Sequence, residues 1–229
     1  MDKGMLISFT ETMPEKDNEL KEWFIYDHIN ERALNTEGFF RARIYQSENF
    51  SPKYFATYET ENFEVLNSKK YLSSVENQTD WSKKVIPNLT ILDRMTTRTT
   101  IDQINGFGNS VALVRFSPEN STEKQNITRN IIAKELFPKL KNNKFCIGGC
   151  LNENMTDTAN LTGEKAKSFG ANPKKVSDLE WLLIFESYNE KSIFDLIRNI
   201  FNLQFQKDLQ FKKLISISSY HLLYGTYKY

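Results

Sequence analysis

Apolar and polar positions alternate along this chain in two successive rounds of one pattern. Gly4 to Glu11 alternates and is rich in β-favouring residues, which predicts a first strand. Pro14 opens a helix that runs to about Asn35, with Glu15 and Asp17 in its first turn where the helix dipole favours acids, and Gly38 ends the connection. Phe39 to Gln46 predicts a second strand, with Phe40, Ala42 and Ile44 on one face and Arg41, Arg43 and Tyr45 on the other. Ser51-Pro52 marks a turn, Tyr54 to Glu59 a third strand, and Val65, Leu66, Tyr71 and Leu72 the apolar side of a second helix. Leu89 to Thr99 reads as a long fourth strand, so the order is βαββαβ.

Residues 102–109 hold Gly106 and Gly108 and lack a period, which marks a linker. The pattern then restarts. Strands are predicted at Ser110 to Phe116, Phe145 to Leu151, Glu180 to Glu186 and Ile215 to Tyr227, with helices at Thr122 to Leu140 and Asn189 to Leu209. Gly148-Gly149 suggests a bulge or a close backbone approach. The repeat is about 110 residues long. Its best local match sets Tyr54-Phe55-Ala56-Thr57-Tyr58-Glu59-Thr60 against Trp181-Leu182-Leu183-Ile184-Phe185-Glu186-Ser187. Residues 1–101 and 110–229 are expected to be two ferredoxin-like α+β repeats whose sheets pack face to face as one closed, pseudo-two-fold body. The second carries a polar insertion at 152–178, too long for an ordinary hairpin loop and expected to be mobile or a lid.

The first helix carries the candidate chemistry. On a 3.6-residue wheel, Leu20, Trp23, Phe24 and Leu34 fall in an arc roughly 100° wide. Asp27 and Glu31 fall in the middle of that arc and His28 at its edge. Ionisable groups on a core-facing stripe are costly unless paired or at work. A weaker apolar group, Ile25, Ile29, Ala33 and Tyr26, lies on the far side, and a core built on that face would leave the acids solvated.

Composition narrows the classes. The 17 Phe and 10 Tyr are enough to build a core, which excludes a disordered chain. A net charge of +1 with interspersed acids and bases gives no nucleic-acid surface. No signal segment or membrane span is visible, so a cytoplasmic location is expected. Cys146 and Cys150 are expected to be reduced packing residues, because two thiols alone make a poor zinc site.

The run Trp23-Phe24-x-x-Asp27-His28-Ile29-x-Glu31-Arg32, followed by Glu37-Gly38-Phe39, Ala42-Arg43-x-Tyr45 and Pro52-Lys53-Tyr54-x-Ala56-x-Tyr58-Glu59, resembles the EthD-like group of dimeric α+β barrel proteins. The resemblance covers residues 4–100 and reaches the second half only as a degenerate repeat. It departs from the family pattern at Ile25, Asp27, Asn30 and Glu37. It implies an intramolecular form of the dimeric barrel, hence a monomer. The group includes cofactor-free monooxygenases, isomerases, cyclases and haem enzymes, so fold analogy does not choose the reaction.

No phosphate loop, dinucleotide fingerprint, metal quartet or serine elbow is present. Haem would need His28 or His221 as its proximal ligand, and no cofactor or metal is expected. General acid–base chemistry on a small, partly apolar carbonyl or aromatic compound is the economical enzymatic reading: an isomerase, lyase, cyclase or oxygenase. His28 would be the acid or base, oriented by Asp27 or Glu31, with Trp23, Phe24, Arg43, Tyr45, Tyr58 and Arg94 binding substrate. The alternatives are a non-catalytic binding or structural protein, with Arg43 and Arg94 paired to Glu59 or Asp93 and His28 a core residue. His221 is expected to be packed, and the second repeat has no counterpart of the Trp23, His28 and Glu31 set.

Overall fold

The computed structural model describes residues 2–167, 170–174 and 179–228. They form eight strands: β1 (Lys3–Thr12), β2 (Phe39–Gln46), β3 (Tyr54–Thr60), β4 (Leu89–Asp102), β5 (Ser110–Pro118), β6 (Gly148–Asn154), β7 (Trp181–Ser187) and β8 (Phe211–Tyr227). Their hydrogen-bonded order is β1-β3-β2-β8-β5-β7-β6-β4, and it closes on itself as one barrel. This corrects the expected fold class. The chain is not two ferredoxin-like repeats with separate sheets laid face to face; it is a single closed eight-stranded β-barrel. A closed ladder leaves no strand with an unpaired edge, which two separate sheets would each expose, and the long β4 and β8, at 14 and 17 residues, contribute to it.

The first unit gathers Met1–Arg98, Met155–Ser177 and Leu222–Tyr229. Here β3 pairs antiparallel with both β1 and β2, so that Ala42 lies opposite Tyr58 and Arg43 opposite Thr57. Strand alternation puts Tyr54, Ala56 and Tyr58 on the face that joins the apolar core with Trp23, Phe24, Leu66 and Tyr71. On the other face Glu59 accepts two bonds from Arg41, and Arg43 Nη2 lies 3.4 Å from the same carboxylate. Helix α1 (Asp17–Trp23) is tied to β3 at its start, where the Tyr54 hydroxyl donates to Asp17 at 2.7 Å and Lys53 donates at 3.0 Å. It continues into two π-helical turns, Phe24–His28 and Glu31–Asn35. Gly38 then turns the chain at φ 81°, a conformation in which a β-carbon would strike Val65. Helices α2 (Lys69–Glu76) and α3 (Asp80–Val85) are capped by Ser68 and Thr79, whose side chains accept the Tyr71 and Ser82 amides.

Most of the insertion, residues 155–177, belongs to this unit. Asn152–Asn154 complete β6, and Thr156–Lys167 form helix α6, so the expected loop is in large part regular structure. Its backbone returns twice to β4: the Met155 amide donates to Thr96 O at 2.8 Å and the Lys174 amide to Leu92 O at 2.9 Å. The expected lid behaviour also falls on residues 168, 169 and 175–178, which lie outside the described residues.

The second unit holds Thr99–Asn154 and Asp178–His221. Strand β7 pairs antiparallel with β5 and β6. Helix α4 (Thr122–Ile131) passes through a π-turn, Ile132–Leu136, into α5 (Phe137–Lys141). Helices α7 (Glu190–Ile200) and α8 (Leu203–Asp208) complete the unit, with Ile193, Ile197 and Phe201 buried. A β-carbon at Gly149 would lie 2.7 Å from the Phe137 ring and 2.9 Å from Ile184 O, which is the close approach the Gly-Gly pair suggested. Cys146 and Cys150 are buried and form no disulfide, and burial pushes the Cys146 thiol up to about 11. Among the described residues no helix is long and apolar enough to cross a membrane.

Candidate functional site

The two π-turns decide which side chains the first helix buries. Each accommodates an extra residue and so rotates the helix beyond it by about 100° relative to an unbroken α-helix. The buried set is Leu20, Trp23, Phe24, Ile29, Arg32 and Ala33. Leu34, expected on the core stripe, is 39% exposed, and Asp27 and Glu31 are only partly buried. The expected stripe therefore holds up to Phe24 and fails beyond it. Ile29 and Ala33 take the core positions that an α-helical wheel assigns to the two acids.

His28 closes the first π-turn. Its ring stacks on Trp23 with centroids 4.3 Å apart and planes 20° from parallel, and it meets Tyr58 edge-on at 5.6 Å and Phe24 at 6.0 Å. Together they line a cavity of about 60 Å³, with Leu6, Val75, Ile86, Leu89, Leu92 and Ala171 as apolar wall and Ser8, Thr10, Gln78, Arg32 and Arg94 as polar lining. The His28 side chain keeps intermediate exposure while its Nδ1 is sealed from solvent.

Three buried polar atoms on this lining have no hydrogen-bond partner among the described residues: His28 Nδ1, Tyr58 Oη and Thr10 Oγ1. Such groups are normally satisfied, and each orphan costs about 1–3 kcal/mol. The Ser8 hydroxyl lies near enough to Tyr58 to act on its acidity, yet without hydrogen-bond geometry. Burial holds His28 well below the ordinary imidazole value of 6.5, and the Arg32 and Arg94 charges push the same way. Burial raises the Tyr58 phenol far above its usual value. At neutral pH the cavity therefore holds an uncharged imidazole and an uncharged phenol.

Both guanidiniums are braced by Tyr71. Arg94 Nη2 donates to the Tyr71 hydroxyl at 3.1 Å, and Arg32 lies 5.9 Å from the Tyr71 ring centre. Arg32 also donates to Ser74 Oγ at 2.6 Å.

Of the residues named from sequence, the structure brings Trp23, Phe24, His28, Tyr58 and Arg94 to one cavity. It does not bring the others there. Asp27 accepts the Thr79 hydroxyl at 2.7 Å and the Ser82 hydroxyl at 3.3 Å, and Ser82 Oγ accepts the Trp23 indole N–H at 3.0 Å. Asp27 thus fixes the Trp23 ring on which His28 stacks, and does not hold His28 itself. Glu31 sits 3.4 Å from Arg32 Nε; burial raises its carboxyl pKa, and Arg32 opposes that shift. No hydrogen bond joins either carboxylate to the imidazole among the described residues. Arg43 and Tyr45 are on the opposite face of their sheet, where Arg43 pairs with Glu59 and overlies Tyr45 at 5.5 Å. The ion-pair alternative describes Arg43.

His221, expected to be packed, is half-exposed, with Nδ1 3.6 Å from Glu190. Among the described residues no group of three or more His, Cys, Asp or Glu side chains could hold a metal ion. Arg32, missed by the sequence reading, was detectable: it stands four positions after His28, a spacing that shares a helix face. Ala171, deep in the insertion, carried no such signal.

No family model matches the chain, and no curated protein sequence is similar to it. Solved structures are. An anthrone oxidase-like protein superposes with a TM-score of 0.66 at 10% identity, covering 99% of this chain and 93% of its own. A candidate monooxygenase from Lactobacillus acidophilus superposes at 0.58 and 11% identity, covering 97% and 94%. Another from Fusobacterium nucleatum superposes at 0.54 and 13% identity, covering 99% and 95%. The chain shares the fold of oxidase-like and monooxygenase-like proteins, nearly end to end.

Proposed function

We propose that this chain is a cofactor-independent enzyme acting on a small, partly apolar carbonyl or aromatic compound, with His28 as its general base. The observation that carries the reading is the unpartnered imidazole Nδ1 on a ring lining a cavity whose other orphan polar atoms are hydroxyls. A neutral imidazole is ready to take a proton at pH 7, and the Tyr58 hydroxyl is a donor for oxygen that gains charge. The reaction class is an isomerase, lyase, cyclase or oxygenase, and the oxidase-like and monooxygenase-like neighbours favour the last. Anthrone, a three-ring ketone, is larger than a 60 Å³ cavity, so smaller ketones and phenols are the better candidates. The EthD-like resemblance, a monomeric state and function without a cofactor belong to this same reading.

The test is a screen of small ketones and phenols for turnover and oxygen uptake, followed by His28→Gln. That side chain hydrogen-bonds but does not titrate. Turnover should fall about 10²–10⁴-fold with the fold intact. A fully active variant would remove the mechanism. One observation favours a second reading, a non-catalytic binding protein: among the described residues no carboxylate orients His28, whereas catalytic bases are normally held by a third group. Under it, ligands bind and none turns over.

A further inference from the structure

We infer that Asn105 is a site of spontaneous modification: the Asn105-Gly106 step closes to a succinimide, releases ammonia and reopens as aspartate or isoaspartate. The Gly106 amide nitrogen bonds to Asn105 Cγ, the Cγ–Nδ2 bond breaks, and Nδ2 leaves as ammonia with the Gly106 amide proton. Water then splits one of the two carbonyl–nitrogen bonds of the ring. One cleavage restores the backbone and leaves an aspartate side chain. The other leaves isoaspartate, with the backbone running through the former side chain. Water is the only co-reactant, and nothing is oxidised or reduced.

Sequence and structure select this position together. Asparagine is a thermolabile residue, and this is the only Asn-Gly step in the chain. Glycine has no β-carbon to crowd the attack of its own amide nitrogen. Asn105 is exposed, in the irregular segment between β4 and β5. That segment is held on either side of the step: the Gln103 amide donates to Gly149 O at 2.9 Å, and the Gly108 amide to Glu186 Oε2 at 3.3 Å. Between these ties, no hydrogen bond among the described residues engages the Gly106 amide or the Asn105 side chain. Nucleophile and target are therefore both available, in a stretch where local rearrangement breaks nothing. Asn67 is the contrast. It too is exposed and precedes a small residue, but the Ser68 amide donates to Val65 O at 3.1 Å. The fold does not require glycine at 106. Its φ is not positive, and a β-carbon there would meet Ile147 Cγ2 at 3.5 Å, an ordinary contact. The product has one more negative charge, which takes the net charge from +1 to zero at neutral pH.

The experiment incubates the folded full-length protein at pH 7 and pH 9 and follows it by intact mass, peptide mapping and ammonia release, with circular dichroism as the check on folding. A gain of one mass unit should map to Asn105, at least tenfold faster than any gain at Asn67, with one ammonia released per event. It should be faster at pH 9, because the attacking amide must lose its proton. Both isoaspartate and aspartate should be recovered. Gly106→Ala should melt as wild type does and convert at least tenfold more slowly. An intact Asn105 in the folded protein, conversion no faster than at Asn67, aspartate without isoaspartate, or an unchanged rate in folded Gly106→Ala would each overturn the inference.

Discussion

The two units contain the same local frame and fill it differently. In each, a helix passes through a π-turn and packs on alternate residues of a central strand. In the first the π-turn ends Asp27-His28, and the strand presents Tyr54, Ala56 and Tyr58. In the second it ends Glu135-Leu136, and the strand presents Trp181, Leu183 and Phe185. Leucine stands for histidine and phenylalanine for tyrosine. The second layer is closed by Ile132, Leu136 and Phe137 around Phe185, all at most 4% exposed and free of ionisable groups. π-turns are often read as marks of function. Here the same turn occurs with and without polar chemistry, so the turn is a property of the frame. The site comes from a few polar side chains that the first unit places on it and the second does not.

Exchange of the paired residues tests that account. The largest effect should come from Leu136→His, which puts the first unit's residue into the filled layer. Leu136 is 1% exposed within an apolar cluster. The variant loses a buried leucine and gains an imidazole without partners, so stability should fall by about 2–4 kcal/mol in chemical denaturation. A loss below about 1 kcal/mol would show that the second layer tolerates polar groups as readily as the first, and the contrast would collapse.

Much of this was legible in the chain, and the reasons differ by element. The boundaries of β2 match the expected strand, because Phe39–Gln46 alternates cleanly and is flanked by Gly38 and a turn. The two segments matched in the sequence, Tyr54–Thr60 and Trp181–Ser187, are both strands with an antiparallel neighbour on each side. A closed, barrel-like body was expected, but from two sheets laid face to face; the strand order was not legible, since nothing in alternation says which strand lies beside β8. His28 was legible as a candidate on the first helix, but its stack on Trp23, five positions back, was not, because the π-turn brings the two rings together. The roles of Asp27 and Glu31 were not, because a wheel of fixed period cannot anticipate a π-turn. Arg43 and Tyr45 are expected from sequence to share a cleft with Tyr58, yet they occupy the other face of the sheet. The register that pairs Ala42 with Tyr58 settles that, and it is not a property of one strand's sequence.

The reverse exchange, His28→Leu, makes the first unit resemble the second and has a pH signature. His28 has its folded pKa depressed below the unfolded value of 6.5. In the unfolded chain it binds a proton as pH falls through 6.5, while in the folded chain it resists. Its contribution is therefore complete above 6.5 and is lost progressively between 6.5 and the folded value, at up to about 1.4 kcal/mol per pH unit. His28→Leu should match or exceed wild type at pH 8 and should remove that part of the decline on going to pH 5. Denaturation curves at the two pH values measure it. An unchanged slope would mean that His28 charges freely in the folded protein.

The smallest effect should come from Tyr58→Phe, the substitution already present at Phe185. Tyr58 is 1% exposed, and its hydroxyl is without a hydrogen-bond partner among the described residues. Deleting a satisfied buried hydroxyl destabilises, whereas deleting an orphan removes a desolvation cost at almost constant volume. Ligand-free stability should therefore hold or rise, by up to about 1 kcal/mol. A small ketone should at the same time bind more weakly, because it loses the phenol as a hydrogen-bond donor. The two readouts must move in opposite directions. A loss of more than about 1 kcal/mol in ligand-free denaturation would mean that the hydroxyl already has a partner, and Tyr58 would then belong with Phe185 as packing.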